Sequence, residues 1–235
     1  MKKGLFTLMM ILCCALAAYA QPTAGLLAHW DMDSTANDVS GNGHNGHMNN
    51  LAPAMGMDGV MGHAWYFNGT TSSITIPSTP ALNVTAYTIT ANVKVNGFYL
   101  GYCHENIIFA RGSTDVVNGI YYLGFNDFPY GNPPCTGSAD TVHESFVSVA
   151  CSATASLGGA WTAYNYTPYI AENLWYTVVA TFNDTTFNLF VDGVLKSSVA
   201  SPTPGVPIGT STDSASIFLQ SRKSFSLLMS ILLVF

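Results

Sequence analysis

The chain has 235 residues, a length that suits one domain plus an export signal and leaves little room for two independent domains. Its formal net charge of −6 argues against nucleic acid as a partner. Charged residues make up only 9% and aromatic residues 12%, a composition that favours strands and polar loops over amphipathic helices and argues against disorder.

Residues 1–20 have the pattern of a secretory signal peptide. Two lysines precede the apolar run 5–16, and small residues stand at Ala18 and Ala20, where a signal peptidase cuts. The apolar run is shorter than the roughly 20 residues that a membrane-spanning helix needs. The sequence therefore predicts a secreted or cell-surface protein that begins at Gln21 and has no stable membrane span.

A first strand is expected at Gly25–Trp30, and the glycine loop, Ser40–His47 (SGNGHNGH), follows it. The loop has the spacing Gly-x-Gly-x-x-Gly of a dinucleotide fingerprint, which requires a buried strand before it and a helix after it. The preceding stretch DSTANDVS is polar, and Asn49, Asn50 and Pro53 oppose a helix. Nucleotide binding is therefore not predicted.

His44 and His47 of the glycine loop are candidate ligands for a transition metal. Residues three apart share a face only on a helix, however, and no further ligand follows at the spacing of zinc sites. Left-handed turns explain the glycines better, with the Asp38 and Ser40 side chains bonded to nearby N–H groups. The loop is expected to be structural.

The rest of the chain is predicted to form short strands separated by polar turns. Ala86–Val95 alternates cleanly, so that Tyr87 and every second residue to Val95 are expected to be buried while Thr88 and its partners face water. Further strands are predicted in AWYFNG, SSITIP, NIIFARG, GIYYLGF and HESFVSVA, with a loop at Asn126–Ser138.

Residues 175–200 carry the sharpest local signal. Asn183-Asp184 and Asp192-Gly193 each interrupt an apolar, β-branched run, which predicts three antiparallel strands joined by two tight turns. Eight or more short strands at this spacing indicate an all-β sandwich of two sheets.

Several stretches resemble a known family. GLLAHWDMDSTANDVSGNGHNGHM, AWYFNGTTSSITIP, YTITANVKV and WYTVVATFNDTTFNLFVDGVLKSSV occur in order between residues 25 and 200. Together they are similar to the strand motifs of laminin G-like domains in the concanavalin A-like lectin/glucanase superfamily. The resemblance implies an antiparallel two-sheet jelly roll, which we expect over residues 21–220.

The resemblance also implies a structural calcium ion at the rim of the sandwich. Asp38, and less directly Asp33, match the family loop where a ligand lies. One or two carboxylates do not make the roughly six to eight oxygens of a calcium site, so Asp38 as a turn-capping residue is the competing interpretation.

The superfamily contains glucanases, which use a Glu-x-Asp-x-x-Glu run to flank the scissile bond. This chain has only Glu105, Glu144 and Glu172, each without the other members of that run. No enzymatic activity is therefore predicted, and glycoside hydrolysis is the less favoured alternative.

Carbohydrate binding or adhesion is the favoured function. Trp161, Tyr164, Tyr166 and Tyr169 lie in one short segment, and their rings can stack on sugars. The competing interpretation is that these rings simply cover the edge of the sandwich. The resemblance equally permits a protein-interaction or spacer module, so the expected partner is a glycan or a cell-surface or matrix protein.

Three cysteines remain after the signal peptide is removed. Cys103 and Cys135 share one Tyr- and Pro-rich region and are the favoured disulfide, which leaves Cys151 over, although connectivity does not follow from sequence.

The end of the chain, residues 221–235, departs from the family. The expected closing strand beside the first strand is replaced by the apolar SFSLLMSILLVF. We interpret this tail as atypical, from a truncated or frame-disrupted gene, and expect Gly25–Trp30 to lack its usual neighbour.

Overall fold

Antiparallel β-strands make up nearly all of the regular structure in a computed structural model of the chain. The structure describes residues 25–97, 106–112, 120–126, 145–152, 156–161, 170–218, 225–227 and 231–234. Among these residues the only helix is one 3-10 turn, Pro80–Leu82. The strands of the described residues are β1 Leu26–Trp30, β2 His47–Asn49, β3 Ala52–Met55, β4 Met61–Phe67, β5 Ser73–Ile76, β6 Tyr87–Lys94, β7 Asn106–Arg111, β8 Tyr121–Asn126, β9 Ser145–Cys151, β10 Ser156–Trp161, β11 Trp175–Phe182, β12 Thr186–Val191, β13 Val194–Ala200, β14 Ala215–Phe218, β15 Phe225–Leu227 and β16 Ile231–Val234.

These strands form two sheets, which confirms the predicted sandwich. In the described part of the chain, the nine-stranded sheet has the order β13-β12-β11-β6-β15-β4-β3, and β16 joins it between β6 and β1. The seven-stranded sheet has the order β10-β9-β8-β7-β14-β5-β2. Strands β13 and β3 lie at the two ends of this order, and β1 lies at the end of the branch through β16.

Strand β6 lies inside the nine-stranded sheet and follows the predicted alternation. Tyr87, Ile89, Ala91 and Val93 are buried, whereas the residues between them are only half-buried. Because successive side chains of a strand point to opposite faces, one face of β6 joins the core and the other meets solvent.

The three strands β11, β12 and β13 confirm the predicted meander. Asp192 and Gly193 both have positive φ, 51° and 77°, as a two-residue hairpin turn requires. Asp184 has a φ of 74° in the preceding turn. The first turn is closed by Asn183, whose side-chain oxygen accepts the N–H groups of Thr185 and Thr186 at 3.2 and 2.8 Å.

Aromatic rings from both sheets meet in the core. Tyr87 of β6 stacks on Tyr121 of β8 with 5.3 Å between ring centroids, and Trp30 of β1 lies 6.0 Å from Phe109 of β7. The Tyr87 hydroxyl also lies 2.8 Å from Ser148 Oγ of β9. Burial raises the pKa of Tyr87, so this phenol stays neutral and serves as a hydrogen-bonding group between the sheets.

The expectation that the first strand lacks a neighbour is wrong. Strand β1 pairs antiparallel with β16, with Leu26 opposite Val234 and Trp30 opposite Ile231. Strand β16 pairs in turn with Thr88–Thr90 of β6. Any extended segment can supply main-chain N–H and C=O groups, so the apolar end of the chain takes a place in the sheet without the family's closing motif.

Candidate functional site

The glycine loop lies between β1 and β2 and is fixed to β1 by polar side chains. Asn42 Nδ2 donates to the carbonyl oxygens of Leu26 and Leu27, both at 2.9 Å. Gly41 and Gly43 have φ of 88° and 82°, which confirms the predicted left-handed turns. The loop leads into strand β2 and not into a helix. It therefore does not offer a pyrophosphate the aligned N–H groups of a helix N-terminus.

Asp38, two residues before the glycine loop, is the centre of the hydrogen bonds that hold the loop. Its Oδ1 accepts the N–H groups of His29 and Ser40 at 3.0 and 2.9 Å, and its Oδ2 accepts the N–H of His44 at 2.9 Å. Burial would raise the pKa of the Asp38 carboxyl, but the hydrogen bonds from Ser40, His29 and His44 outweigh it and hold this pKa below its usual range. The carboxylate therefore acts as a cap for three backbone donors.

The two histidines of the loop have separate surroundings. His44 is buried, its carbonyl oxygen accepts the Trp30 indole N–H at 2.7 Å, and its Nδ1 lies 3.5 Å from Thr79 Oγ1. His47 is exposed on β2. Among the described residues, no group of three or more His, Cys, Asp or Glu side chains is arranged to hold a metal ion. His44 thus packs and bonds within the fold.

Asp33 belongs to a different cluster, at the turn between β3 and β4. His63 Nδ1 lies 2.7 Å from Asp58 Oδ2 and 3.7 Å from Asp33 Oδ1, and all three side chains are roughly half exposed. The hydrogen bond to Asp58 raises the pKa of His63, and the charges of Asp33 and Asp31 act in the same direction. The Val60 N–H and His63 lower the pKa of Asp58. The cluster is a small acidic surface around one imidazole.

The sequence interpretation did not include Asp58 or His63. The dipeptide Asp58-Gly59 is a turn signal and could have marked the hairpin between β3 and β4. The approach of Asp33, which lies on the segment after β1, depends on the Ser34 N–H donating to the Gly62 carbonyl at 3.2 Å. That contact joins distant parts of the chain and has no local sequence signature.

The residues present do not fit the implied calcium ion. Both oxygens of Asp38 already accept backbone N–H groups, which a cation would have to displace. Asp33 instead faces His63, whose raised pKa favours the cationic form. Calcium prefers six to eight oxygen ligands, so these two residues do not supply a shell. Calcium binding stays a prediction, which a calcium-dependent rise in Tm would support.

Only one residue of the predicted sugar platform has a described backbone. Trp161 is the last residue of β10, the edge strand of the seven-stranded sheet, and pairs with Val147 of β9. Tyr164, Tyr166 and Tyr169 lie outside the described residues, as do Cys103 and Cys135. The platform and the disulfide therefore stay predictions, with Trp161 placed at a sheet edge.

The face of the seven-stranded sheet that points away from the core is also apolar. A second buried cluster there, which we call the outer cluster, has six members: Ile107, Ala110, Ile120, Tyr122, Val147 and Cys151. Strands β8 and β9 are consequently buried on both faces, unlike β6. This continuous burial explains why the alternation rule describes β6 well and these two strands poorly.

Arg111 is a further residue that sequence reasoning missed. It is fully buried at the end of β7, and its Nη2 donates to Ser78 Oγ, Asn83 Oδ1 and the Ser211 carbonyl at 3.1, 3.3 and 2.5 Å. Burial lowers the pKa of its guanidinium, against the opposing effects of Tyr121 and Asp213. A single arginine in an apolar strand forms no sequence pattern that would predict its role. In the fold it connects β7 with the segment 78–83 and with Ser211.

The sequence of the chain matches a protein-family model. The model of the concanavalin A-like lectin/glucanases superfamily, in its laminin G-like form, matches residues 68–224. The chain belongs to this superfamily. This laminin G-like protein is an antiparallel jelly-roll sandwich, as the resemblance implied. No curated protein sequence matches it significantly.

Solved structures with the same fold include sugar-binding and protein-binding domains. One is domain 4 of AbnA, a GH43 extracellular arabinanase from Geobacillus stearothermophilus, which was solved in complex with arabinotriose. Its sequence is 18% identical to this chain, and the two structures match with a TM-score of 0.60 over 90% of this chain and 92% of that one. The binding domain of botulinum neurotoxin DC was solved with rat synaptotagmin II, at 10% identity and a TM-score of 0.63, over 91% of this chain and 49% of that one. It was also solved with SialylT, at 10% identity and a TM-score of 0.61, over 90% of this chain and 48% of that one.

The laminin G-like chain thus spans about half the length of the toxin domains that it matches. At these identities the similarity establishes the fold alone. Within the described ranges, no helix has the length and apolar character needed to cross a membrane.

Proposed function

We propose that this laminin G-like protein is a secreted, non-catalytic module for carbohydrate binding or adhesion. The observation that carries the proposal is the jelly-roll sandwich itself, because solved domains of this fold hold arabinotriose and SialylT. The signal-peptide pattern of residues 1–20 supports export, which brings the module to extracellular glycans.

The sugar platform is proposed at the β10 edge of the seven-stranded sheet. Trp161 ends that strand, and Tyr164, Tyr166 and Tyr169 follow within eight residues. Aromatic rings provide flat apolar surfaces for the faces of sugar rings, and nearby Asn side chains can bond to hydroxyl groups.

The non-catalytic part of the proposal rests on carboxylate spacing. Glycoside hydrolysis needs two carboxyl groups that flank one bond, at about 5 to 9.5 Å from each other. Glu172 is exposed in the turn before β11, whereas Glu105 and Glu144 lie outside the described residues. None has a second carboxylate within the spacing of the Glu-x-Asp-x-x-Glu run.

A glycan array probed with the purified chain and two tryptophan variants tests the platform. We expect the chain to bind a subset of glycans and Trp161→Ala to lose at least tenfold in affinity, with an unchanged circular dichroism spectrum. Trp175→Ala is the matched control, because Trp175 is a half-buried indole on β11 of the other sheet, with Lys94 Nζ 6.0 Å from its ring. Equal binding by both variants would overturn the platform.

A protein-interaction or spacer module is the second candidate. It is favoured by the solved complex of a similar sandwich with synaptotagmin II. If the array shows no glycan binding while a pull-down from an extracellular protein fraction enriches one partner at a fixed ratio, this second function replaces the first.

A further inference from the structure

The hairpin between β3 and β4 has a well-defined turn. The Gly56 N–H donates to the Val60 carbonyl at 2.8 Å, and the Gly59 N–H donates to the Gly56 carbonyl at 3.0 Å. Gly59 has a φ of 81°. This is a three-residue loop, Met57-Asp58-Gly59, in which a turn is followed by a left-handed glycine. Its hydrogen bonds fix the backbone around Met57.

Methionine is concentrated at this hairpin. Between residues 21 and 228 the chain has five methionines, and four of them lie within residues 48–61. Met55, Met57 and Met61 are 55, 52 and 64% exposed, whereas Met32 is buried in the core. Methionine is usually a core residue, so three exposed thioethers in seven positions are not accounted for by packing.

The register brings these thioethers to one place. Met55 of β3 lies directly opposite Met61 of β4. Opposite β-carbons in an antiparallel pair are about 4.5 to 5.5 Å apart, and each methionine sulfur is two bonds farther out. Two such sulfurs reach a common ion without any change in the backbone. Met57 is two residues from Met55, in the adjoining turn, and is the third exposed thioether of this hairpin.

The acidic cluster lies on the other side of the same hairpin. A β-carbon built on Gly56 would lie 2.8 Å from the His63 β-carbon and 2.5 Å from Asp58 Oδ1. Because side chains alternate along a strand, Met55 projects away from the face on which Gly56 meets His63. The carboxylates of Asp33 and Asp58 nevertheless place negative charge on this end of the molecule, which attracts cations.

We propose that Met55, Met57 and Met61 form a binding site for a soft monovalent cation, Cu(I) or Ag(I). Thioether sulfur is a neutral, polarisable ligand that selects such soft ions over calcium or magnesium. The site is distinct from the predicted sugar platform, because β3 is an edge of the nine-stranded sheet and Trp161 is at an edge of the seven-stranded sheet. It therefore does not depend on the proposed function.

The test uses Ag(I), which is stable in air, added as silver nitrate in chloride-free buffer to the purified chain with ¹³C-methyl methionine. We expect the ε-methyl signals of Met55, Met57 and Met61 to shift together with one equivalent of Ag(I), while the Met32 signal stays in place. Site-resolved signals keep silver bound to cysteine thiols from being counted as binding at the hairpin.

The matched variants separate sulfur chemistry from apolar surface. The triple variant Met55→Leu, Met57→Leu, Met61→Leu keeps the size and apolar character of the side chains and is expected to lose at least tenfold in Ag(I) affinity. Met48→Leu, 40% exposed on β2, is the control and should bind as the unchanged chain does. Unshifted methyl signals, or equal affinity in the triple variant, would overturn the site.

Discussion

The segment 38–47, which contains Asp38 and the glycine loop, and the methionine hairpin, residues 55–61, both contain aspartate and glycine, yet the fold uses them in opposite ways. In the segment 38–47, Asp38 is buried and both of its carboxylate oxygens accept backbone N–H groups. In the hairpin, Asp58 is exposed and bonds to the exposed His63. Saturated, buried polar groups stabilise a fold, whereas exposed groups with spare ligand capacity are available to ions and partners. The same residue types thus divide between structure and function according to burial.

Removing the carboxylate of Asp38 should show the largest effect in this comparison. Asp38→Ala leaves three N–H groups without their acceptor, one in a buried and two in partly buried positions, and each such loss costs about 1 to 3 kcal/mol. We expect the free energy of unfolding to fall by about 3 kcal/mol or more in urea denaturation. Asp33→Ala is the control and should change it by less than about 0.5 kcal/mol, because Asp33 is exposed. Similar losses in both variants would remove the distinction between the two regions.

Substitution of two glycines in the loop should change the stability of the fold by an intermediate amount. A β-carbon on Gly46 would overlap Ile74 Cγ2 and lie 3.1 Å from the Ala36 β-carbon. Gly46→Ala should therefore destabilise the fold by about 1 to 3 kcal/mol through overpacking. At Gly41, with a φ of 88° and no atom within 4 Å of such a carbon, Gly41→Ala should cost only the backbone strain of about 1 kcal/mol. Thermal unfolding of the two variants measures the difference, and a larger loss at Gly41 would contradict the packing argument.

The smallest effect is expected from the titration of His63. Its folded pKa is raised by Asp58, so the pair stabilises the fold below the unfolded pKa of histidine, and this contribution is lost as the pH rises through the folded pKa. The lowered pKa of Asp58 has the opposite sign: its contribution is present above the unfolded pKa and is lost as the pH falls through the folded one. An NMR titration of the His63 ring should give a lower midpoint in Asp58→Asn than in the unchanged chain. An equal midpoint would mean that the hydrogen bond does not form in solution.

Local pattern predicted much of the sandwich. The alternation of β6 and the two turns of the β11–β13 meander follow from side-chain period and turn chemistry, which act over a few residues. Both faces of β8 and β9 being buried was not predicted, since their second apolar layer depends on what the fold places over them. The sequence pattern of a strand predicts which side chains share a face, but it does not predict what packs against that face.

The candidate site was predicted only in part. The capping role of Asp38 was one of two open interpretations, and its bond to Ser40 spans two residues. Its bonds to His29 and His44 span nine and six residues and need the loop to fold back on β1. The pairing of Met55 with Met61 could have been predicted from the sequence, because the Asp58-Gly59 turn marks the hairpin. The exposure of these two side chains to solvent could not.

Residue type and near spacing were enough to predict the strand character of the chain, the positions of its tight turns and the superfamily to which the protein belongs. The pairing of residues 231–234 with β1, the bonds of Arg111 to separate segments and the approach of Asp33 to His63 are visible only in the folded chain. Main-chain pairing is nearly independent of side-chain identity, and contacts between distant segments depend on how two whole sheets close on each other. Neither leaves a local pattern in the amino-acid sequence.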